Sequence, residues 1–249
     1  MAEKLIISDP LISLKEFTAA RIAIGRTGTS IPIKESLEFK LAHAHARDAV
    51  YSELAIEGLT NDLQAFNLPV LSLHSNAANR HKYLKRPDLG RQLDETSAEI
   101  LKDHGTGADI AIIIADGLSA TAVNENTFSL LKLLIPMFSA EKLRLAPLCL
   151  VEQGRVAIGD EIAEGLHAKL SIMLIGERPG LSSADSMGVY LTYNPRPGLT
   201  DESRNCISNI RPEGLSYHLA SQKIFYLVQE AFKRKLSGVE LKDNAGLLD

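Results

Sequence analysis

The chain has 249 residues, 45% hydrophobic and 23% charged, enough to bury one large core or two modest ones. A net charge of −4, 5% aromatic residues and no Trp argue against nucleic acid as a partner, since phosphate tracking wants a basic surface and base stacking wants rings; the basic residues form no block beyond KRK at 233–235. No stretch approaches the roughly 18 apolar residues of a membrane span, and the opening MAEKLIISDPLISLKEF has no basic-then-apolar leader pattern, so no membrane partner and a cytoplasmic placement are expected.

Up to residue 68 the chain reads as helix. SLKEFTAARIAI at 13–24 and IKESLEFKLAHAHARDAVYSELAIEGLTNDLQAF at 33–66 are rich in Ala, Leu, Glu and Lys, the strong helix formers. From residue 69 short β-branched runs alternate with amphipathic stretches. PVLSLHS is followed by DETSAEILKDHG, ADIAIIIAD by NTFSLLKLLIPMF, LRLAPLCLVEQ by GDEIAEGLHAKL; then come SIMLIGE, GVYLTYN and SYHLASQKIFYLVQEAFKRKL. Residues 111–115 and 172–176 are continuously apolar, as strands covered on both faces should be. The expected architecture is α/β: a Rossmann-like, doubly wound, mostly parallel sheet over 69–249, preceded by an α-helical segment over 1–68.

In such a sheet ligands bind beyond the carboxyl ends of the strands. Three apolar runs end in polar loops: Asp116-Gly117-Leu118-Ser119, Glu152-Gln153-Gly154-Arg155-Val156 and Glu177-Arg178-Pro179-Gly180. Each loop taken singly reads as a turn with a helix cap. Three together, each with a charge directly after a buried strand, suggest a binding rim.

Other motifs give little. Gly25-Arg26-Thr27-Gly28-Thr29-Ser30 lacks the Lys of a phosphate loop and follows a helical pattern rather than a strand. No strand runs into Gly-x-Gly-x-x-Gly, and Gly117-Leu118-Ser119-Ala120-Thr121 lacks the second Gly of a nucleophile elbow. His43 and His45 lie two apart in a helical stretch, about 200° around the axis, so they cannot share a metal. The two cysteines, Cys149 and Cys206, form no disulfide framework. Asp103-His104-Gly105 has the wrong spacing for a histidine that ligates cobalt from below.

GRTGTSIPIKESLEFKLAHAHARDAV at 25–50, IADGLSATAV at 114–123, LVEQGRVAIGDEIAE at 150–164, GERPGLSSADSMGVYLTYNPRPG at 176–198 and RNCISNIRPEGLSY at 204–217 together resemble the small subunit of ethanolamine ammonia-lyase. The likeness runs from about residue 21 to residue 220. It implies an adenosylcobalamin-dependent lyase that turns ethanolamine into acetaldehyde and ammonia through a 5′-deoxyadenosyl radical. Substrate would lie in the barrel of a large subunit, this chain's hetero-oligomeric partner, and the setting would be the cytoplasm, inside a bacterial microcompartment. Cobalamin would stay base-on, with no cobalt ligand from this chain. The family's cobalamin contacts fall on Val156 in QGRVAIGD, Glu177 in GERPGL and Cys206 in RNCISNI; Arg155 is added from this sequence alone. Glu177 would accept from a corrin amide, the Val156 backbone would pair with another, and Cys206 would offer a small apolar surface. A second reading remains open, in which the chain is a non-catalytic structural or interaction subunit that binds no cofactor.

Overall fold

The computed structural model describes residues 6–7, 9–18, 20–105 and 107–243. Six strands form the main sheet: β3 (Val70–His74), β4 (Ile110–Ala115), β5 (Leu148–Glu152), β6 (Leu170–Gly176), β7 (Met187–Tyr193) and β8 (Asn205–Ile210), in the order β3-β5-β4-β6-β7-β8. The first four strands are mutually parallel, and β7 and β8 add antiparallel to one edge. The sheet is therefore mixed and mostly parallel, with helices on both sides. A further strand pair, β1 (Ile6–Ile7) with β2 (Arg26–Thr27), stands apart from it.

Residue alternation divides the sheet's two faces. Ile110, Ile112 and Ile114 of β4 point to a core shared with α2 (Ile56–Leu63), α5 (Ala120–Ala140) and α7 (Tyr217–Arg234), which extends under β7 and β8 through Met187, Val189, Leu191, Ile207 and Ile210. On the other face Ala111, Ile113 and Ala115 meet α4 (Glu95–Lys102) and α6 (Ile158–Gly165), through Leu101, Ile158 and Ile162. These two helices have eight residues each and cover only the parallel part of the sheet. Tyr190 of β7 and its register partner Cys206 of β8 lie on that face beyond them; Tyr190 is half-buried and Cys206 exposed.

The N-terminal helix α1 (Ile33–Tyr51) buries only Ala49 among its 19 residues. Ile33, Leu37 and Leu41, four apart and so on one side, are 80%, 60% and 58% exposed. The helix expected over 13–24 is not present. A 3₁₀ turn spans Ile12–Glu16; beyond it the Thr18 hydroxyl takes the N–H of Ala20, a local bond that competes with helix, and Ala23 turns left-handed at φ 50°. Arg21 donates to the Leu181 carbonyl, fastening this irregular stretch to the loop after β6.

Candidate functional site

The three polar loops emerge at one end of the sheet and interlock. The N–H of Leu118 reaches the Gly176 carbonyl at 2.9 Å. A Cβ at Gly117 would collide with that carbonyl, and one at Gly176 with the Ser119 carbonyl, so both positions are closed to larger residues. Asp116 is buried and its carboxylate accepts two successive amides of the next loop, Gln153 N–H at 2.9 Å and Gly154 N–H at 3.1 Å. Arg80, the first residue of α3 (Arg80–Lys85), stands 3.6 Å from the same carboxylate. Burial pushes the Asp116 carboxyl up to about 6, against the amides and Arg80, which pull it down.

The loop from Gln153 to Arg155 has every backbone polar group engaged. The Gln153 carbonyl accepts from the Ser75 hydroxyl at 2.8 Å, the Gly154 carbonyl from the buried Tyr83 hydroxyl at 3.1 Å, and the Arg155 carbonyl from Ile158 N–H; Arg155 N–H donates to Gly90 at 2.7 Å. The Val156 N–H, two residues ahead of α6, donates to no group among the described residues. Val156 and Arg155 line a cavity of about 870 Å³, together with Gln92, Arg91 and the 197–201 segment. Arg155 differs from the other candidates in direction. Its guanidinium lies 4.1 Å from the centre of the Tyr83 ring and donates to the Tyr83 carbonyl at 3.2 Å, so it braces the loop.

Glu177 follows β6 and is half-buried. Its carboxylate packs across Gly188, where a Cβ would come within 3.1 Å of Oε1. Oε2 accepts from the Ser186 hydroxyl at 2.5 Å and from Asn209 N–H at 3.1 Å, which leaves Oε1 with no donor among the described residues. Gly188 and Tyr190 occupy the same face of β7, so Glu177 belongs to the uncovered part of the sheet with Cys206 and Ser208. Burial raises the Tyr190 phenol well above the usual range, reinforced by Cys206, Glu177 and Asp201 nearby. Cys206 Sγ lies 3.3 Å from the Ser208 hydroxyl.

Tyr190, Ser186 and Asn209 went unnoticed in the sequence. Only register can reveal them: Tyr190 pairs with Cys206, and a bulge in β8 turns the Asn209 N–H toward Glu177. Among the described residues no cluster of three or more His, Cys, Asp or Glu is placed to hold a metal ion, and His43 stacks on Phe39.

Fold and site together define an α/β protein with a mixed, mostly parallel sheet, an open polar rim at the strand ends and a bare patch of sheet beside it. The family model for the ethanolamine ammonia-lyase light chain (EutC) matches residues 8–242, and the chain belongs to that family. Ethanolamine ammonia-lyase small subunits from Pseudomonas fluorescens strain SBW25 and Pseudomonas aeruginosa strain LESB58 are each 54% identical to it over 241 residues, covering 95% of this chain and 87% and 88% of theirs. The small subunit from Pseudomonas putida strain KT2440 is 52% identical over the same length. A lyase subunit with a large-subunit partner follows from these names. Among the described residues no helix is long and apolar enough to cross a membrane.

Proposed function

We propose that this chain is the cobalamin-holding small subunit of an adenosylcobalamin-dependent ethanolamine ammonia-lyase, active only when assembled with the large subunit and placed in the cytoplasm within a bacterial microcompartment. The observation that carries the reading is the unpaired Val156 N–H, displayed by a loop whose own backbone is otherwise satisfied. A corrin rim alternates amide groups with apolar edges and so wants both donors and acceptors. Val156 N–H supplies a donor, Glu177 Oε1 an acceptor, and Cys206 with Tyr190 a partly apolar floor. These residue types fit that rim without any ligand to cobalt from this chain. When bound, the cofactor supplies the radical chemistry that converts ethanolamine to acetaldehyde and ammonia. The chain's residues bind and orient it, and assembly with the large subunit would exclude water.

The test is co-assembly of the chain with its large subunit, followed by cobalamin titration and ethanolamine-dependent acetaldehyde formation. The complex should turn over ethanolamine and the isolated chain should not. Activity of the isolated chain would overturn the subunit reading. The exposed apolar side of α1 favours the second reading, a purely structural subunit, which predicts that substitutions at Val156, Glu177 and Cys206 leave cobalamin affinity untouched.

A further inference from the structure

We propose that Asp116, held by Arg80, is a positioning residue: its carboxylate fixes the Gln153–Val156 backbone and thereby presents the Val156 N–H to the ligand. The identity of the ligand rests on the cobalamin reading above, whereas the clamp itself does not. Asp116 ends no strand by accident of solvation. It is buried, and both of its oxygens are used on adjacent amides of a different loop, with Gln153 N–H on Oδ2 and Gly154 N–H on Oδ1. A carboxylate that bridges two consecutive N–H groups fixes the orientation of both peptide planes.

The clamped conformation is one the loop would not hold unaided. Gln153 sits at φ 55°, left-handed for a residue with a side chain, and such geometry persists where neighbours over-determine it. Gly154 has no room for a Cβ, which would come within 2.9 Å of the Ala115 Cβ. Arg80 fixes the clamp in turn. Its Nε donates to the Val50 carbonyl at 2.6 Å, near the end of α1, and its Nη1 donates to the Gly117 carbonyl, next to Asp116, at 2.8 Å, so the guanidinium ties the Asp116 loop to α1. The chain of contacts thus runs from α1 through Arg80 and Asp116 to the loop that ends at Val156. None of these groups needs to touch the ligand.

The test uses the complex with the large subunit at pH 8, where Asp116 is ionised. Asp116→Asn keeps one acceptor oxygen and turns the other position into a donor facing an N–H. Hydrogen–deuterium exchange at Gln153 and Gly154 should accelerate by at least about tenfold relative to β4 amides, through more frequent local opening. Adenosylcobalamin should bind about five- to fiftyfold more weakly. The loss should appear in the half-saturating cofactor concentration more than in turnover at saturation. Tyr83→Phe, which removes only the hydroxyl on the Gly154 carbonyl, is the milder second variant if Asp116→Asn does not assemble; it should shift exchange and affinity in the same direction. Unchanged exchange at residues 153–154 overturns the clamp. Faster exchange with unchanged affinity overturns its role toward the ligand. Failure of the wild-type complex to bind cobalamin sinks the cofactor reading instead, and the exchange arm still decides the clamp.

Discussion

Glu177 shows how a rim charge is made useful. One oxygen is committed to Ser186 and Asn209, and on the proposed cobalamin-holding role the other is the acceptor for a ligand amide. Glu177→Gln should weaken cobalamin binding to the assembled enzyme by about 5- to 150-fold, corresponding to the 1–3 kcal/mol of a charge-assisted bond. Titration of the reconstituted variant checks this, and an unchanged affinity with intact assembly would return the loop to the status of a turn. Asp116 makes a second prediction, in pH. Its carboxyl titrates near 6 when folded and near 3.9 when unfolded, so between those values the folded chain holds the extra proton. Its contribution to stability therefore falls as pH rises from about 4 to about 7 and stays level above. Urea midpoints at pH 4.5, 6 and 8 should show wild type losing ground to Asp116→Asn across that window; a difference that stays flat or grows with pH would contradict the sign. The sequence made Asp116 visible as a charge after a strand. It did not show that the group is buried and serves a neighbouring loop, because that depends on β5 lying beside β4. Likewise Glu177 is found among the strand ends, whereas its partners Ser186 and Asn209 come from register.

At the level of elements, the join between α6 and β8 rests on one buried pair, Arg204 with Asp160. Both are almost fully covered, and Arg204 also donates to the Leu199 carbonyl at 3.2 Å, in the segment that lines the cavity. Arg204→Met leaves the Asp160 carboxylate buried without its cation and should cost about 3–5 kcal/mol, measured as loss of unfolding free energy. Asp160→Asn with Arg204→Met should recover part of that loss, since it removes the stranded charge. The alternating strands and helices from residue 69 onward were legible because continuous apolar runs such as 110–115 mark strands covered on both faces. The segment at 126–138 is the later part of α5, and it continues through Pro136 within a helix that is buried over much of its length. One reading failed and one strand was missed, each for a local reason. Thr18 diverts the chain from the helix expected at 13–24, and β8 is too mixed in polarity to look like a strand, since it is half exposed and bulged. Gly180 is also informative: its backbone is not left-handed, and the only close neighbour of a Cβ there would be the Ser183 hydroxyl, which would have to turn aside, a contact invisible before the turn is built.

Over the whole molecule, the chain is unequally finished. The two cores are closed apart from the bare patch at β7 and β8, while α1 carries Ile33, Leu37 and Leu41 in the open. Exposed apolar ridges of this kind drive association. The isolated chain should therefore self-associate, and Leu37→Lys with Leu41→Lys should lower that association in sedimentation velocity; a monodisperse wild-type monomer at high concentration would refute the expectation. No sequence pattern announces this ridge, since an exposed leucine and a buried one look alike until the rest of the fold is in place.

The strand order has a consequence for how the protein is made on the ribosome. β3 pairs only with β5, and β4 pairs only with β5 and β6, both of which come later in the chain. Until Leu148–Glu152 has emerged, none of the main sheet's hydrogen-bond ladders can form, although the six apolar residues of β4 are already outside. More than half of the polypeptide is thus synthesised with its stickiest segment unpaired, a state that invites aggregation and chaperone capture. A nascent chain stalled before residue 148 should stay protease-sensitive along its whole emerged length, and one stalled after β6 has cleared the exit tunnel should yield the first protected fragment containing β4.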